Sequence, residues 1–271
     1  MHTEKIFIKN RNNLNVRVCI DTPALEALDE NHSQKGLAFI MPGLGAHHNK
    51  SRFRKFAQIL TTHGFVVVSF DPTNSFGESD GDYADATFTN YYEDLEDVIE
   101  WARNTQYYKE PFLLIGHSLG GMGVTLYSEK YPTRVLAVAP LAATISGKLS
   151  IEARTKEEIE KWQTLGYQEI TRPGGAVARL KWSHMEDRMK YDNLIDAGKI
   201  KVPVLMVVGE NDKLTPPKHQ QLLFEALGTA GENKELHIIA GADHEMNTEN
   251  AESQLVGFFE DWLVKKVLNN L

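Results

Sequence analysis

An α/β fold, with a mostly parallel central sheet flanked by helices, is predicted by three observations in this 271-residue chain. Short runs such as "GLAFIMPG", "FVVVSFD" and "PFLLIG" are apolar throughout rather than alternating, as strands buried on both faces are. Between them lie stretches whose apolar residues recur at helical spacing. The two patterns alternate along most of the chain, which is how parallel strands joined by crossover helices read.

In chain order, "KIFIK" and "LNVRVCI" read as two strands joined by the turn-forming "NRNN", a hairpin at a sheet edge. "GLAFIMPG" follows as a buried strand closed by Pro42 and Gly43. A helix is predicted from Arg52 to about His63, with Phe53, Phe56, Ile59 and Leu60 on one face. After "FVVVSFD", the residues Leu95, Val98, Ile99 and Ala102 mark another helix face. "PFLLIG" is the next strand, Gly121 to Tyr131 a helix, and "RVLAVAPLA" a further strand. The alternation breaks between residues 143 and 200, a polar stretch rich in both charge signs with "RPGGA" as an internal breaker. It is too long for a bare loop in a compact domain, so a mostly helical insertion is expected there. Residues 1–142 and 201–271 would form the core and 143–200 a lid. "VPVLMVVGE" and "KELHIIAGADH" resume the sheet, and a closing helix carries Leu255, Phe258, Phe259 and Trp262.

The apolar and charged shares, 42% and 24%, are those of a globular protein. A formal charge of -8 offers no attraction for phosphate backbones or anionic lipid, and no basic stripe with interleaved aromatics is present, which argues against nucleic acid as a partner. No segment is long and apolar enough to span a bilayer, so no stable membrane insertion is expected. The polar amino end is unlike a secretory signal. The single cysteine, Cys19, cannot form an internal disulfide, which fits a cytoplasmic location. Its strand-like setting suits a buried apolar role rather than a nucleophile. No interface signal separates a monomer from a homodimer.

The chemistry is expected at "FLLIGHSLGGMGV". Gly116-His117-Ser118-Leu119-Gly120 fits G-x-S-x-G between a predicted strand and a predicted helix, the context a nucleophile elbow demands. The turn forces Ser118 into a strained conformation that lifts its hydroxyl clear of the sheet, and the Leu119 N–H at the helix start points where an oxyanion would develop. A plain glycine-rich turn with an N-capping serine is the alternative. A serine hydroxyl needs a histidine base and an acid that orients it. "VVGENDKLTPP" puts Asp212 on a loop after a strand and "IIAGADHEMN" puts His244 on the loop after the following one. Serine, aspartate, histidine is the chain order associated with this elbow. A turn cap for Asp212 and an ordinary loop residue for His244 are the plainer readings; Glu210 and Asp243 are weaker competitors for the acid, and His117 an unlikely base. The second oxyanion donor should come from "PGLGAHHNK", with the Leu44 N–H favoured. His47 and His48 lack a third patterned ligand, so no metal is expected, and the chemistry requires no cofactor.

With these residues in place the chain resembles the α/β-hydrolases over nearly its whole length. "FDPTNSFGESDGDY", "IGHSLGGMG", "GENDKLTPP" and "GADHEMN" are similar to segments of lid-bearing serine esterases, especially cinnamoyl (feruloyl) esterases and monoacylglycerol lipases. The resemblance implies Ser118 as nucleophile, His244 as general base then acid, Asp212 as orienting carboxylate, and Leu44 and Leu119 as oxyanion donors. It departs from the family at Pro42-Gly43, where His-Gly is common, and around Asn74 to Ser79, where Arg-Gly-x-Gly-x-Ser is usual; neither departure removes a catalytic group. Asp71 and Asp80 nearby are expected to fix loops. The expected activity is hydrolysis of a small-molecule carboxylic ester through an acyl-enzyme. Peptidase, thioesterase and acyltransferase activities on the same three residues, and a non-catalytic ligand-binding role, stay open. Within the insertion, Trp162, Tyr167, Trp182 and Met185 are candidates for lining an acyl or aryl pocket, with helix packing an equal explanation of all four.

Overall fold

The apolar runs pair side by side. In the computed structural model, which describes residues 1–29, 33–172 and 175–270, β1 (His2–Lys9) and β2 (Asn15–Thr22) form the amino-terminal hairpin. They are followed by β3 (Gly36–Met41), α1 (Ser51–Thr62), β4 (Phe65–Asp71), α2 (Phe88–Ala102) and β5 (Phe112–His117). Next come α3 (Leu119–Lys130) and β6 (Val135–Leu141). The sheet has eight strands in the order β1, β2, β4, β3, β5, β6, then β9 (Val204–Gly209) and β10 (Lys234–Ile239). β1 and β2 are antiparallel to their neighbours, and β4, β3, β5, β6, β9 and β10 run parallel.

Because side chains alternate across a strand, each buried strand supplies two cores. In β3, Ala38 and Ile40 face one, Leu37, Phe39 and Met41 the other. The first core is closed by α1 and by α8 (Glu249–Trp262), which meet through Phe56 and Phe259 with ring centroids 4.4 Å apart. The second is covered by α2, α3 and α7 (Pro217–Ala226). Parallel strands end on one edge, so the loops after β3, β5, β9 and β10 gather there, where sheets of this kind form sites.

Residues 143–200 depart from the sheet, leaving after β6 and returning at β9. They carry α4 (Gly147–Glu152), α5 (Lys156–Leu165) and α6 (Ser183–Arg188). They also carry an antiparallel hairpin of β7 (Tyr167–Thr171) and β8 (Val177–Lys181) that the expectation of a mostly helical insertion did not include. The chemistry behind it is local. Gly166 ends α5 in the left-handed conformation, φ 75°, and the Arg172 N–H donates to the Ala176 carbonyl across the hairpin end. Pro173 and Gly174 of the "RPGGA" breaker lie outside the described residues.

One buried carboxyl in this frame couples folding to pH. Glu129, near the end of α3, is 4% exposed and its Oε1 has no hydrogen-bond partner. Burial, and then the charge of Asp196, raises it from the ordinary 4.5 to about 8. Between those values the native state holds a proton that the unfolded chain has lost, so this group's contribution to stability declines as pH rises through the window. Glu129→Gln is therefore expected to raise the thermal midpoint by several degrees at pH 8 and by much less at pH 5, as calorimetric scans at the two pH values will show.

Candidate active site

The site begins with a backbone constraint. Between β5 and α3 only Ser118 turns the chain, and it does so at φ 56°, ψ -117°, a region closed to most non-glycine residues. Three hydrogen bonds hold it there. The Ser118 N–H donates to the Leu141 carbonyl (2.9 Å), and the Ser118 carbonyl accepts from the N–H groups of Met122 (3.1 Å) and Thr144 (3.0 Å). The turn is so tight that the flanking glycines have no room for a side chain. A Cβ on Gly116 would lie 2.2 Å from the Gly120 carbonyl oxygen, and one on Gly120 would lie 2.2 Å from that of Met41.

The loop after β10 brings His244 to the serine, with Nε2 2.8 Å from Ser118 Oγ. Its other nitrogen, Nδ1, lies 2.7 Å from Asp212 Oδ2 on the loop after β9. Asp212 is 3% exposed and fully committed. Its Oδ1 accepts the N–H groups of Leu214 and Thr215, both at 2.9 Å, while Oδ2 also meets the Thr215 hydroxyl at 2.7 Å. Burial alone would push this carboxyl up, but the hydrogen bond and charge of His244, with those from Thr215, hold it below its ordinary range. The group is thus an anion that keeps the proton of a neutral imidazole on Nδ1 and leaves Nε2 as the acceptor facing the hydroxyl. The competing acids do other work. Glu210 accepts the Gly241 N–H (2.8 Å), and Asp243 Oδ1 accepts those of Glu245 and Met246.

Two supports escaped the sequence reading. Thr215 Oγ1 sits between Asp212 Oδ2, the Ala142 carbonyl (2.9 Å) and His244 Nδ1 (3.2 Å), joining the loop after β9 to the end of β6. His117 is buried, and burial followed by the charges of Arg52 and His244 keeps it well below its ordinary pKa. Neutral His117 therefore donates from Nε2 to the His244 backbone carbonyl, 3.0 Å away, and pins the loop that presents the imidazole. Arg52 adds a contact to the next residue, 2.9 Å to Glu245.

On the other side of Ser118 runs the loop after β3. A Cβ on Gly43 would be 3.0 Å from Ser118 Cβ, so this backbone passes directly against the Ser118 side chain. In that loop the Gly45 N–H donates to Tyr91 Oη (3.0 Å) and that of Ala46 to the Gly43 carbonyl (3.0 Å). Among the described residues neither the Leu44 N–H nor the Leu119 N–H at the start of α3 has an acceptor. The adjoining loop is fixed by Asp71, which accepts the N–H groups of His48 (2.7 Å) and Glu78 (2.8 Å) and meets His48 Nδ1 at 2.7 Å. Asp80 accepts the Asn15 N–H at 2.7 Å. Among the described residues no three His, Cys, Asp or Glu side chains gather as a metal site, and no helix is long and apolar enough to cross a membrane.

The family model described as "Serine aminopeptidase, S33" matches residues 32–195 and 188–251. The chain belongs to the α/β-hydrolase family. Its relatives include the mitochondrial palmitoyl-protein thioesterase ABHD10 of Bos taurus, 24% identical over 237 residues that cover 86% of this chain and 74% of the relative. A monoacylglycerol lipase of Mycolicibacterium smegmatis is 23% identical over 253 residues, covering 85% of this chain and 88% of the relative. Among solved structures, the ferulic acid complex of Est1E from Butyrivibrio proteoclasticus superposes with a TM-score of 0.77 at 18% identity, covering 97% of this chain and 99% of that one. The monoacylglycerol lipase of Paleococcus ferrophilus gives 0.69 at 22% identity, covering 98% and 100%.

In this α/β-hydrolase the four aromatic and methionine candidates make their hydrogen-bond and ring contacts within the insertion. Trp162 is 2% exposed, packs edge to face on Trp182 with centroids 5.3 Å apart, and spends its indole N–H on the Leu180 carbonyl (3.0 Å). Met185 has no accessible surface, and Tyr167 lies under the Arg179 guanidinium, 4.4 Å from its ring centroid. No hydrogen bond or ring contact links any of them to Ser118, His244 or Asp212 among the described residues. Since the elbow leaves no space at Gly120, Gly120→Ala is expected to cost at least about 2 kcal/mol of unfolding free energy, read as a fall in the urea midpoint.

Proposed function

We propose that this α/β-hydrolase cleaves carboxylic esters through an acyl-enzyme formed on Ser118. The observation that carries the reading is the unbroken chain of contacts from Ser118 Oγ to His244 Nε2 (2.8 Å) and from His244 Nδ1 to Asp212 Oδ2 (2.7 Å). Ser118 Oγ attacks the ester carbonyl carbon while His244 Nε2 takes its proton. The carbonyl oxygen becomes an oxyanion that the N–H groups of Leu44 and Leu119 receive. The tetrahedral intermediate collapses, His244 returns the proton to the leaving alcohol, and the acyl group stays on Ser118. Water then repeats the sequence, giving up a proton to His244, and releases the carboxylic acid and the free serine. Asp212 holds the imidazole and offsets its transient positive charge, while Thr215 and His117 hold Asp212 and the His244 backbone. Residues 143–200 act as the lid over the strand ends.

A thioesterase and a lipase stand among the relatives and a peptidase in the name of the family model, so the leaving group is settled by assay. A panel of p-nitrophenyl esters, an acyl thioester and an aminoacyl amide, run beside a fluorophosphonate probe, tests the reading. Ester turnover with probe labelling is expected, both lost in Ser118→Ala with a fall in kcat of about 10⁶. Folded wild-type protein that neither turns over nor labels would overturn it. Asp212→Asn is expected to lower kcat by roughly 10⁴, since the amide no longer enforces the imidazole tautomer, and pre-steady-state kinetics will show the loss in the acylation step.

A further inference from the structure

One buried charge is left unused by this chemistry. Arg188, at the end of α6, is 6% exposed. Its guanidinium carries five N–H donors and cannot become an acceptor, yet among the described residues it meets only His184 Nε2 and, at 3.4 Å, Ser150 Oγ, while its Nε has no partner there. His184 is a neutral acceptor here, because its Nδ1–H donates to the Ala86 carbonyl at 2.9 Å. A second arginine stands close by. Arg154 donates to the Ser150 carbonyl (2.6 Å) and lies over Trp162.

Among the described residues no carboxylate lies within ion-pair distance of either guanidinium. Asp187, the neighbour of Arg188 in sequence, turns to the Thr89 N–H (2.8 Å), the Thr89 hydroxyl (2.7 Å) and Lys190 (2.9 Å). Glu158 is spent on the capping box of α5 with Thr155. Burial, and then the charge of Arg154, pulls Arg188 down to about 9, which still leaves it charged at neutral pH. A buried cation without an anion is costly, and folded proteins otherwise pair or neutralise such groups. An arginine held this way, with donors unspent, is prepared for an anion that arrives from outside.

Its position ties it to the serine. The Arg188 backbone packs on the start of α4, where a Cβ on Gly147 would lie 2.5 Å from the Arg188 carbonyl oxygen. α4 also carries Ser150, and it begins three residues after Thr144, whose N–H holds the Ser118 carbonyl. The elbow and the helix that carries the hydroxyl partner of Arg188 are therefore joined by one short segment.

We propose that Arg188, assisted by Arg154 and the Ser150 hydroxyl, forms a carboxylate-binding subsite, so that the substrate is an ester that also carries a free carboxylate. This assignment rests on the hydrolase reading of Ser118. The guanidinium fork matches a carboxylate in two parallel hydrogen bonds, which fixes the register of the ester carbonyl over the serine as well as holding the substrate.

Two matched pairs test it: mono-p-nitrophenyl glutarate against p-nitrophenyl valerate, with the carboxylate in the acyl part, and 4-carboxyphenyl butyrate against 4-methylphenyl butyrate, with the carboxylate in the leaving group. In at least one pair kcat/KM for the anionic ester is expected to exceed that for the neutral one by about tenfold or more. The ratio should fall to near one in Arg188→Met and keep an intermediate value in Arg188→Lys. Neutral esters turned over with both ratios at or below one in the wild type would overturn the subsite while leaving the hydrolase reading intact. The reverse case is read by titrating glutarate into Ser118→Ala in a calorimeter. Saturable binding that Arg188→Met abolishes supports the subsite even if no ester is cleaved; absence of binding, or tighter binding of inorganic phosphate, overturns the carboxylate assignment.

Discussion

The turn at Ser118 is the constraint on which the rest of the site depends. A non-glycine residue held at positive φ is unfavourable by about 1–3 kcal/mol, and here the surroundings leave it no alternative. β5 and α3 approach until the backbone of residue 116 touches that of residue 120, while the Ser118 carbonyl is taken by two N–H donors. Any relaxation of the turn would part strand from helix and break those bonds together. The hydroxyl is therefore fixed in space by backbone packing rather than by its own rotamer alone, and the loops after β3, β9 and β10 need only be aimed at a fixed point.

Aiming those loops is the work of buried polar groups with complete hydrogen bonding. Asp212 accepts two backbone N–H groups on one oxygen and meets the His244 ring on the other, and the same contacts that keep it ionised keep that ring in one orientation. Thr215 and His117 extend the arrangement to the end of β6 and to the elbow itself. The result is a candidate site whose three side chains are held by buried neighbours, which is the preorganisation that the proposed chemistry requires.

Against that background the incompletely paired charges stand out. Glu129 resolves its burial by taking up a proton. Arg188 has no such exit at neutral pH, because a guanidinium remains charged. One is a pH-sensitive weakness in the fold; the other is held against α4, the helix that follows the Thr144 segment of the candidate site.

What the sequence determined by itself was whatever depends on neighbours along the chain. Uniformly apolar runs, helical spacing and the glycines around Ser118 are local properties, and they were enough to indicate a parallel sheet, the elbow, and the strand-end loops holding Asp212 and His244. The hairpin of β7 and β8 was also local, but its strands are largely exposed, so no apolar alternation announced it. Tertiary structure alone decided the rest. His244 and Ser118 are 126 residues apart, and their contact, like that of His117 with the His244 carbonyl, exists only because parallel strands end on one edge. Trp162 and Met185 looked equally suited to a pocket or a core in one dimension, and packing buried both. The same holds for Arg188. A charged residue on a short helix reads as solvent-facing, and only the folded chain, by burying it beside Arg154 without a carboxylate, gives it a different meaning.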